Sequence, residues 1–445
     1  MMKMPLPDSM VSLIEEVKSL FPDDPKTQRM FEKCFSNTYE TTIRSQKDGT
    51  TFVITGDIPA MWLRDSTAQV RPYLLLAEVD TNMADLIEGV IAKQISYINH
   101  DPYANAFNEE SNGNRYHNDK TDMTALMWER KYEIDSLCYP IQLAYLFWKS
   151  TGRTSHFNKS FHQAVESILN VWKIEQNHSE HSDYHFERDG CPPQDTLSHE
   201  GKGAPVTYTG MTWSGFRPSD DACQYGYLIP SNMFAVVCLR QLAEIAQQVL
   251  GDDELTHTAL HLADEINQGI QTYGKVDHPK FGTIYAYETD GLGNYNLMDD
   301  ANVPSLLSLP YLGYCEIDDP TYLNTRAFIL SKDNPYYFEG TAAKGIGSPH
   351  TPENYIWHIA LAIQGMTASN LEERDEILSL FKQTDANQHL MHEGFDVNNP
   401  EQYTRPWFSW ANSMFSEFLL YYCQYGVKGS PFYKKLNLEK NINKR

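Results

Sequence analysis

The sequence predicts an all-α fold in which helical hairpins close into a ring. Apolar residues recur at three- and four-residue spacing in about twelve separate runs. Strand signals are few. Long polar or aromatic loops begin near residues 45, 100, 178, 274, 332 and 385, so they fall between roughly six pairs of helices. In a closed ring of such hairpins the long loops gather at one mouth. A solenoid would need a repeat of about 30–45 residues, and no such self-similarity is visible.

The first helical runs lie near 9–20, 26–42 and 66–79. Asp80 and Thr81 then supply a cap for Met83, Leu86, Ile87, Val90, Ile91, Ile95 and Ile98. Runs at 134–150 and 155–174 follow. Pro230 and Ser231 open the run from Met233 to Val249 and Gly251 closes it; the next lies between Asp252 and Gly274. After runs at 319–330 and 354–367, Ser369 and Glu372 form a capping box ahead of Ile377, Leu378 and Phe381. The last run is 407–424. Thr51–Ile54 and Thr283–Tyr287 are the best strands. No linker or composition break divides the chain, which reads as one domain over 1–445.

Composition excludes several classes. The 445 residues carry 36 Lys and Arg against 59 Asp and Glu, a net charge of −23. Nucleic acid and anionic membranes demand basic patches, so neither is the expected partner. With 27 Tyr, 20 Phe and 8 Trp the chain is acidic and aromatic, which suits a sugar cleft and a large core alike. The seven Cys (34, 138, 191, 223, 238, 315 and 423) form no C-x-x-C, so free buried thiols in a reducing compartment are expected. Met1–Pro5 lacks a basic start followed by an apolar stretch, and no run approaches 18 apolar residues. The expected location is the cytoplasm.

Three segments can carry chemistry. Gly56–Ser66 places Asp57, Trp62, Arg64 and Asp65 just before a helix. Arg64 and Asp65 can bond sugar hydroxyls and Trp62 can stack, or Asp65 can simply cap the helix. Tyr208–Asp221 is a loop with glycines and a proline that ends in Asp220-Asp221. Adjacent carboxylates raise one another's pKa, which is how a carboxyl becomes a general acid; a turn or helix cap is the plain alternative. His389–Asp396 surrounds Glu393, a candidate general base, with His389 and His392. The same cluster could crowd a metal with Asp396, but it lacks the helical H-E-x-x-H spacing and no second cluster supplies ligands. Asp299, Asp300 and Asn302, and Glu133 with Asp135, are further polar clusters at loop–helix junctions. Glycosidic hydrolysis needs two carboxyls flanking the bond, and Asp220 and Glu393 are the candidates. No nucleophile elbow, P-loop or dinucleotide fingerprint is present.

The string GDIPAMWLRDSTAQVRPY (56–73) resembles glycoside hydrolase family 125, the metal-independent exo-α-1,6-mannosidases. Residues 213–221 (WSGFRPSDD), 225–232 (YGYLIPSN) and 392–395 (HEGF) are similar to its other motifs, and the likeness runs from near 30 to near 425. It implies an (α/α)6 barrel and an inverting exo-hydrolase of terminal α-1,6-linked mannose, without metal or cofactor, of the bacterial cytosolic type. By motif position Asp220 is its general acid and Glu393 its general base. Trp62, Arg64, Asp65, Trp213, Arg217, Asn302 and His389 are expected to line the sugar pocket, with Glu133, Asp300 and Trp410 beside them. An α-mannoside oligosaccharide is the expected partner, and a monomer or weak oligomer the expected state. A phosphorylase on the same barrel would use phosphate where Glu393 activates water. A non-catalytic glycan-binding protein would not need both carboxyls. A terpenoid-type α-barrel would need an apolar pocket and extended acidic repeats.

Overall fold

The computed structural model describes residues 5–433. Most of the Met1–Pro5 start, and residues 434–445 of the expected single domain, lie outside the described residues. The helices are, in chain order, α1 (Asp8–Ser19), α2 (Pro25–Thr41), α3 (Leu63–Val70), α4 (Leu74–Ala77), α5 (Thr81–His100), α6 (Ile134–Thr151), α7 (Lys159–Glu175), α8 (His178–His181), α9 (Ser198–Gly201), α10 (Ile229–Ile245), α11 (Asp253–Tyr273), α12 (Leu309–Leu312), α13 (Pro320–Ile329), α14 (His358–Met366), α15 (Leu371–Thr384) and α16 (Ser409–Tyr422).

Two sets of helices alternate, and their first turns tell them apart. In α2, α5, α7, α11, α13 and α15 a side chain accepts from first-turn backbone N–H groups: Asp24, Asp80, Asn158, Asp252, Asp319 and Asn370. This satisfies donors that a helix start leaves unpaired. In α3, α6, α10, α12, α14 and α16 no side chain does so. The uncapped set is buried on nearly all sides, and its members pack on one another: α16 on α3, α3 on α6, α6 on α10, α10 on α12, and α14 on α16. Capped helices cover them, with α2 on α16, α5 on α6, α11 on α10 and α15 on α14.

The connections alternate too. A capped helix leads into an uncapped one through a long loop: 42–62, 101–133, 176–228, 274–308, 330–357 and 385–408. The return segments are short. The long loops therefore meet at the N-terminal ends of the uncapped helices, where each bonds to the next. Leu63 N donates to Asn105 O at 3.1 Å, Ile134 N to Ser214 Oγ at 3.4 Å, Ile229 N to Tyr287 O at 2.9 Å, and Ala301 N to Gly347 O at 3.1 Å. Tyr355–Trp357 pairs antiparallel with Gly394–Asp396, and Ser409 N returns to Thr55 O at 3.0 Å. The uncapped starts of α3, α6, α10 and α16 thus draw on the neighbouring loop.

Each expected run contains a helix, with corrections. The 66–79 run is broken by a 3₁₀ turn at Arg71–Tyr73, where Pro72 withholds a backbone donor. The cap of α15 is Asn370 rather than Ser369. Helix α12 is a single turn, too short to show a period. Strands are more numerous than expected, all of two to four residues and all within the loops. The two expected ones pair locally, Thr51–Val53 with Ile43–Ser45 and Gly282–Tyr285 with Lys275–His278.

The seven cysteines are free, but only Cys34, Cys138 and Cys238 are buried. Contrary to expectation, one described segment, Ile229–Leu250, is long and apolar enough to cross a membrane by length and composition. It is mostly buried, being helix α10 with its π-helical end. A continuous apolar core reaches from Met10 to Phe432.

The close approach of α14 and α16 depends on Gly365, where an added Cβ would overlap the Phe418 ring. Gly365→Ala is expected to lower unfolding free energy by about 1–3 kcal/mol through overpacking. An unchanged urea midpoint would contradict this packing.

Candidate active site

A pocket opens where the loops meet. Its wall is formed by Thr55, Ile58, Trp62, Arg64, Asp65, Pro218, Ser219, Asp220, Asn302, His350, Trp357, Glu393, Arg405, Phe408 and Trp410. Every one lies on a long loop or in the first turn of an uncapped helix. Asp220 and Glu393, far apart in sequence, share this wall.

The Asp220 side is built on Arg64. Its guanidinium is buried in the first turn of α3 and reaches Glu133 Oε2 at 2.6 Å, Asp220 Oδ1 at 3.0 Å and Asp135 Oδ2 at 3.3 Å, with Asp65 Oδ2 3.4 Å from its Nε. It also lies 5.5 Å from the Trp410 ring centre. Lys131 Nζ donates to Asp220 O at 2.6 Å, fixing a residue whose φ of 67° is in the left-handed region. The two neighbouring aspartates part there. Asp220 faces the pocket, while Asp221 is fully buried and holds His350 Nδ1 at 2.9 Å.

Electrostatics follow from this packing. Burial raises the Asp220 carboxyl, but Arg64, Glu133, Lys131 and His350 together outweigh it and hold Asp220 below the usual range. The expected elevation of Asp220 by its neighbour is therefore overridden. Desolvation pushes Glu133 well up despite Arg64, and Asp220 and Asp135 add to the rise. Desolvation likewise takes Asp65 and Asp135 up to about 6, partly offset by Arg64. Burial lowers His350, but Asp221, with Glu393 and Asp220 nearby, lifts it to about 9.

The Glu393 side rests on Gly56 and Arg405. Glu393 precedes the strand Gly394–Asp396 and lies 3.5 Å from Arg405 Nη1. Arg405 is also anchored on Asp57, at 2.5 Å, and sits over the Phe408 ring. Gly56, at φ 136°, pairs with Phe408 so closely that a Cβ would overlap the Trp407 carbonyl oxygen. Only glycine lets the two loops meet there. Around the pocket Trp62 Nε1, Asp65 Oδ2, Ser219 Oγ and Trp410 Nε1 are buried with no hydrogen-bond partner among the described residues. Such groups suit a ligand rich in hydroxyls.

Of the expected pocket residues, Trp62, Arg64, Asp65, Asn302 and Trp410 line it. The others do not. Trp213 is buried against His178, ring centres 3.6 Å apart, and packs the loop from beneath. Arg217 is spent on Glu288 at 2.6 Å. Asp300 accepts from Asn302 Nδ2 at 3.0 Å and so sets a side chain that does line the pocket. Glu133 meets Arg64 behind the wall. His389 is turned to Asp385, 3.2 Å away.

The suspected cation cluster diverges as well. The His392 ring stacks on Tyr403 at 3.7 Å, and Asp396 accepts from Asn398 N and Asn399 N. Among the described residues no three His, Cys, Asp or Glu side chains are grouped to hold a metal. His350, Trp357, Arg405 and Phe408 line the pocket without having been expected. They sit in the two long loops that begin near 332 and 385, so loop length was their only signal.

A helical scaffold with two carboxyls on the wall of a hydroxyl-seeking pocket defines a glycoside hydrolase. Residues 24–420 match the model of the metal-independent α-mannosidases, GH125, and the chain belongs to that family. It is 49% identical, with a TM-score of 0.92, to a metal-independent α-mannosidase of Streptococcus pneumoniae solved as a non-productive complex with α-1,6-mannobiose; the match covers 94% of this chain and 99% of that one. It is 42% identical over 436 residues to the meiotically up-regulated gene 157 protein of Schizosaccharomyces pombe, covering 93% of this chain and 85% of that protein. A bacterial glucoamylase complexed with acarbose, 13% identical with a TM-score of 0.58 over 92% of this chain and 57% of its own, shares the fold alone.

The Asp221–His350 pair makes a pH prediction. His350 gains a partner on folding, so its stabilising contribution is complete below about 6.5 and is lost as pH rises through about 9. Imidazole NMR titration should find His350 charged at neutral pH in the wild type and returned toward its ordinary range in Asp221→Asn. An unmoved midpoint would refute the pairing.

Proposed function

We propose that the protein is an inverting exo-α-1,6-mannosidase built on an (α/α)6 barrel, with residues 1–445 forming one catalytic unit. The observation that carries the mechanism is the placement of Asp220 and Glu393 on one pocket wall. Asp220 protonates the leaving glycosidic oxygen. Glu393 takes a proton from water attacking the anomeric carbon on the opposite face. Arg64, Asp65 and Asn302 bond sugar hydroxyls, while Trp62 and Trp410 bound the ring. The α-1,6 linkage is supported by the mannobiose complex of the 49% identical relative.

The barrel reading rests on the alternation of capped and uncapped helices and on the cycle of loop-to-loop bonds. Its inner six are then α3 with α4, α6, α10, α12, α14 and α16. Seven free thiols favour a reducing compartment, hence the cytoplasm. No metal enters the mechanism.

Asp220→Asn and Glu393→Gln are each expected to leave a folded protein that loses about 10²–10⁴ or more in rate on α-1,6-mannobiose. Proton NMR of the first-formed sugar should show β-mannose, and turnover should survive EDTA. Early α-mannose would overturn inversion, and near-wild-type rates in either variant would overturn the assignment of that carboxyl.

A further inference from the structure

The pocket wall around Arg64 holds more acid than its cations balance. Asp65, Glu133, Asp135 and Asp220 all lie within 3.4 Å of that one guanidinium. The nearby ammonium of Lys131 is directed to the Asp220 carbonyl and to Glu129 and Asp195. His350 is paired with Asp221, the residue after Asp220, at 2.9 Å. Four crowded carboxyls around one buried cation cannot all be ionised, because a desolvated charge without a partner is strongly unfavourable.

Geometry says which pair keeps a proton. Glu133 Oε2 and Asp220 Oδ1 stand side by side on the Arg64 guanidinium, at 2.6 and 3.0 Å, and two neighbouring carboxyl groups can bond only with a proton between them. Asn105 Nδ2 bridges them, 3.5 Å from Glu133 Oε1 and 3.4 Å from Asp220 Oδ1. Glu133 Oε2 meanwhile receives Arg64 Nη1 at 2.6 Å and Ser136 Oγ at 2.7 Å. Those two donors steady Glu133 when it gives the proton up. Glu133 is buried and outside the pocket wall, so it reaches the reacting atoms only through Asp220.

We infer that Glu133 is the proton store of Asp220: the two carboxyls share one proton, held on Glu133 in the free site and passed to Asp220 for delivery to the leaving oxygen. This rests on the reading of Asp220 as general acid. The O–H bond of Glu133 breaks as that of Asp220 forms. Asp220 then gives the proton to the glycosidic oxygen as the bond to the anomeric carbon breaks. The proton taken from water stays on Glu393 until it leaves to solvent, and the Glu133–Asp220 pair regains one proton from solvent through the open pocket. The store resolves the conflict between an acid's task and the pull of Arg64, which favours an ionised Asp220. Glu133 is thus a positioning residue for a proton rather than a contact of the sugar.

The test separates a proton store from a structural prop. Glu133→Gln keeps shape and a donor but cannot carry the proton. On α-1,6-mannobiose at pH 7 its kcat should fall about 10-fold or more, and the basic limb of kcat/KM should move about one pH unit or more to acid. On 2,4-dinitrophenyl α-mannoside, whose leaving group needs no proton, kcat should stay within about 3-fold of the wild type. Equal losses on both substrates, or an unmoved basic limb, would overturn the store.

A second measurement uses wild-type enzyme labelled with ¹³C-glutamate. Its infrared carboxylic-acid band should titrate at higher pH than the same band in Asp220→Asn, because the variant removes the like charge. Identical titrations would also overturn the proposal. If mannobiose is not hydrolysed at all, the functional reading fails while the infrared comparison still decides whether the pair shares a proton.

Discussion

Everything at the Asp220 side depends on a buried guanidinium. Arg64 is 3% exposed, and a cation so desolvated persists only among matched carboxylates. Its partners come from the first turn of α3 itself, the start of α6 and the loop before α10. Satisfying one charge therefore fixes three segments that are remote in sequence. Lys131 repeats the device one layer out, because its ammonium holds the Asp220 carbonyl and with it a left-handed backbone. Positive φ at a non-glycine residue is strained and persists where surrounding bonds over-determine it. Here that strain aims one aspartate into the pocket and buries the next.

How much of this was legible in the chain depended on range. Outer helices announce themselves, because Asp24, Asp80, Asn158, Asp252 and Asp319 are ordinary caps ahead of amphipathic runs. Inner helices carry no such signal. Their starts are Trp62, Glu133, Leu228, Trp357 and Phe408, with first-turn donors met by a loop from elsewhere in the chain. The family motifs marked only the starts at Trp62 and Leu228. The same reasoning explains the misplaced residues. Trp213 and Arg217 sit in a motif beside Asp220, yet nearness in sequence does not separate a side chain that faces the ligand from one that braces the loop. Trp213 braces by stacking on His178, and Arg217 by pairing with Glu288. His350 and Arg405 show the converse. Each is an isolated charge in a long loop, and only its partners, Asp221 and Asp57, bring it to the wall.

The two candidate catalytic carboxyls are held by different physics. Asp220 stands in a crowd of acids about one cation, where protons can be redistributed without leaving the protein. Glu393 stands beside Arg405, which Asp57 and Thr55 anchor from the first long loop. That anchor ties the last long loop to the first, and Gly56 allows it by letting the backbones touch. A proton can therefore be supplied by one set of partners and accepted beside another. An inverting reaction asks for such independence, since its acid and base act on opposite faces of the sugar.

The uncapped helix starts then acquire a chemical meaning. A side-chain cap is worth about 1 kcal/mol, so inner helices without one each forgo roughly that much local stability. The inner starts instead place Trp62, Trp357 and Phe408 at cap positions, and Arg64, Asp65 and Trp410 in first turns, on the pocket wall. Neighbouring loops restore part of the loss by bonding in a cycle, and that cycle ties the long loops to one another. The partial positive charge at each helix N-terminus also favours the carboxylates gathered there. Stability surrendered within each helix is recovered between loops, and the recovery is what brings distant residues into one pocket.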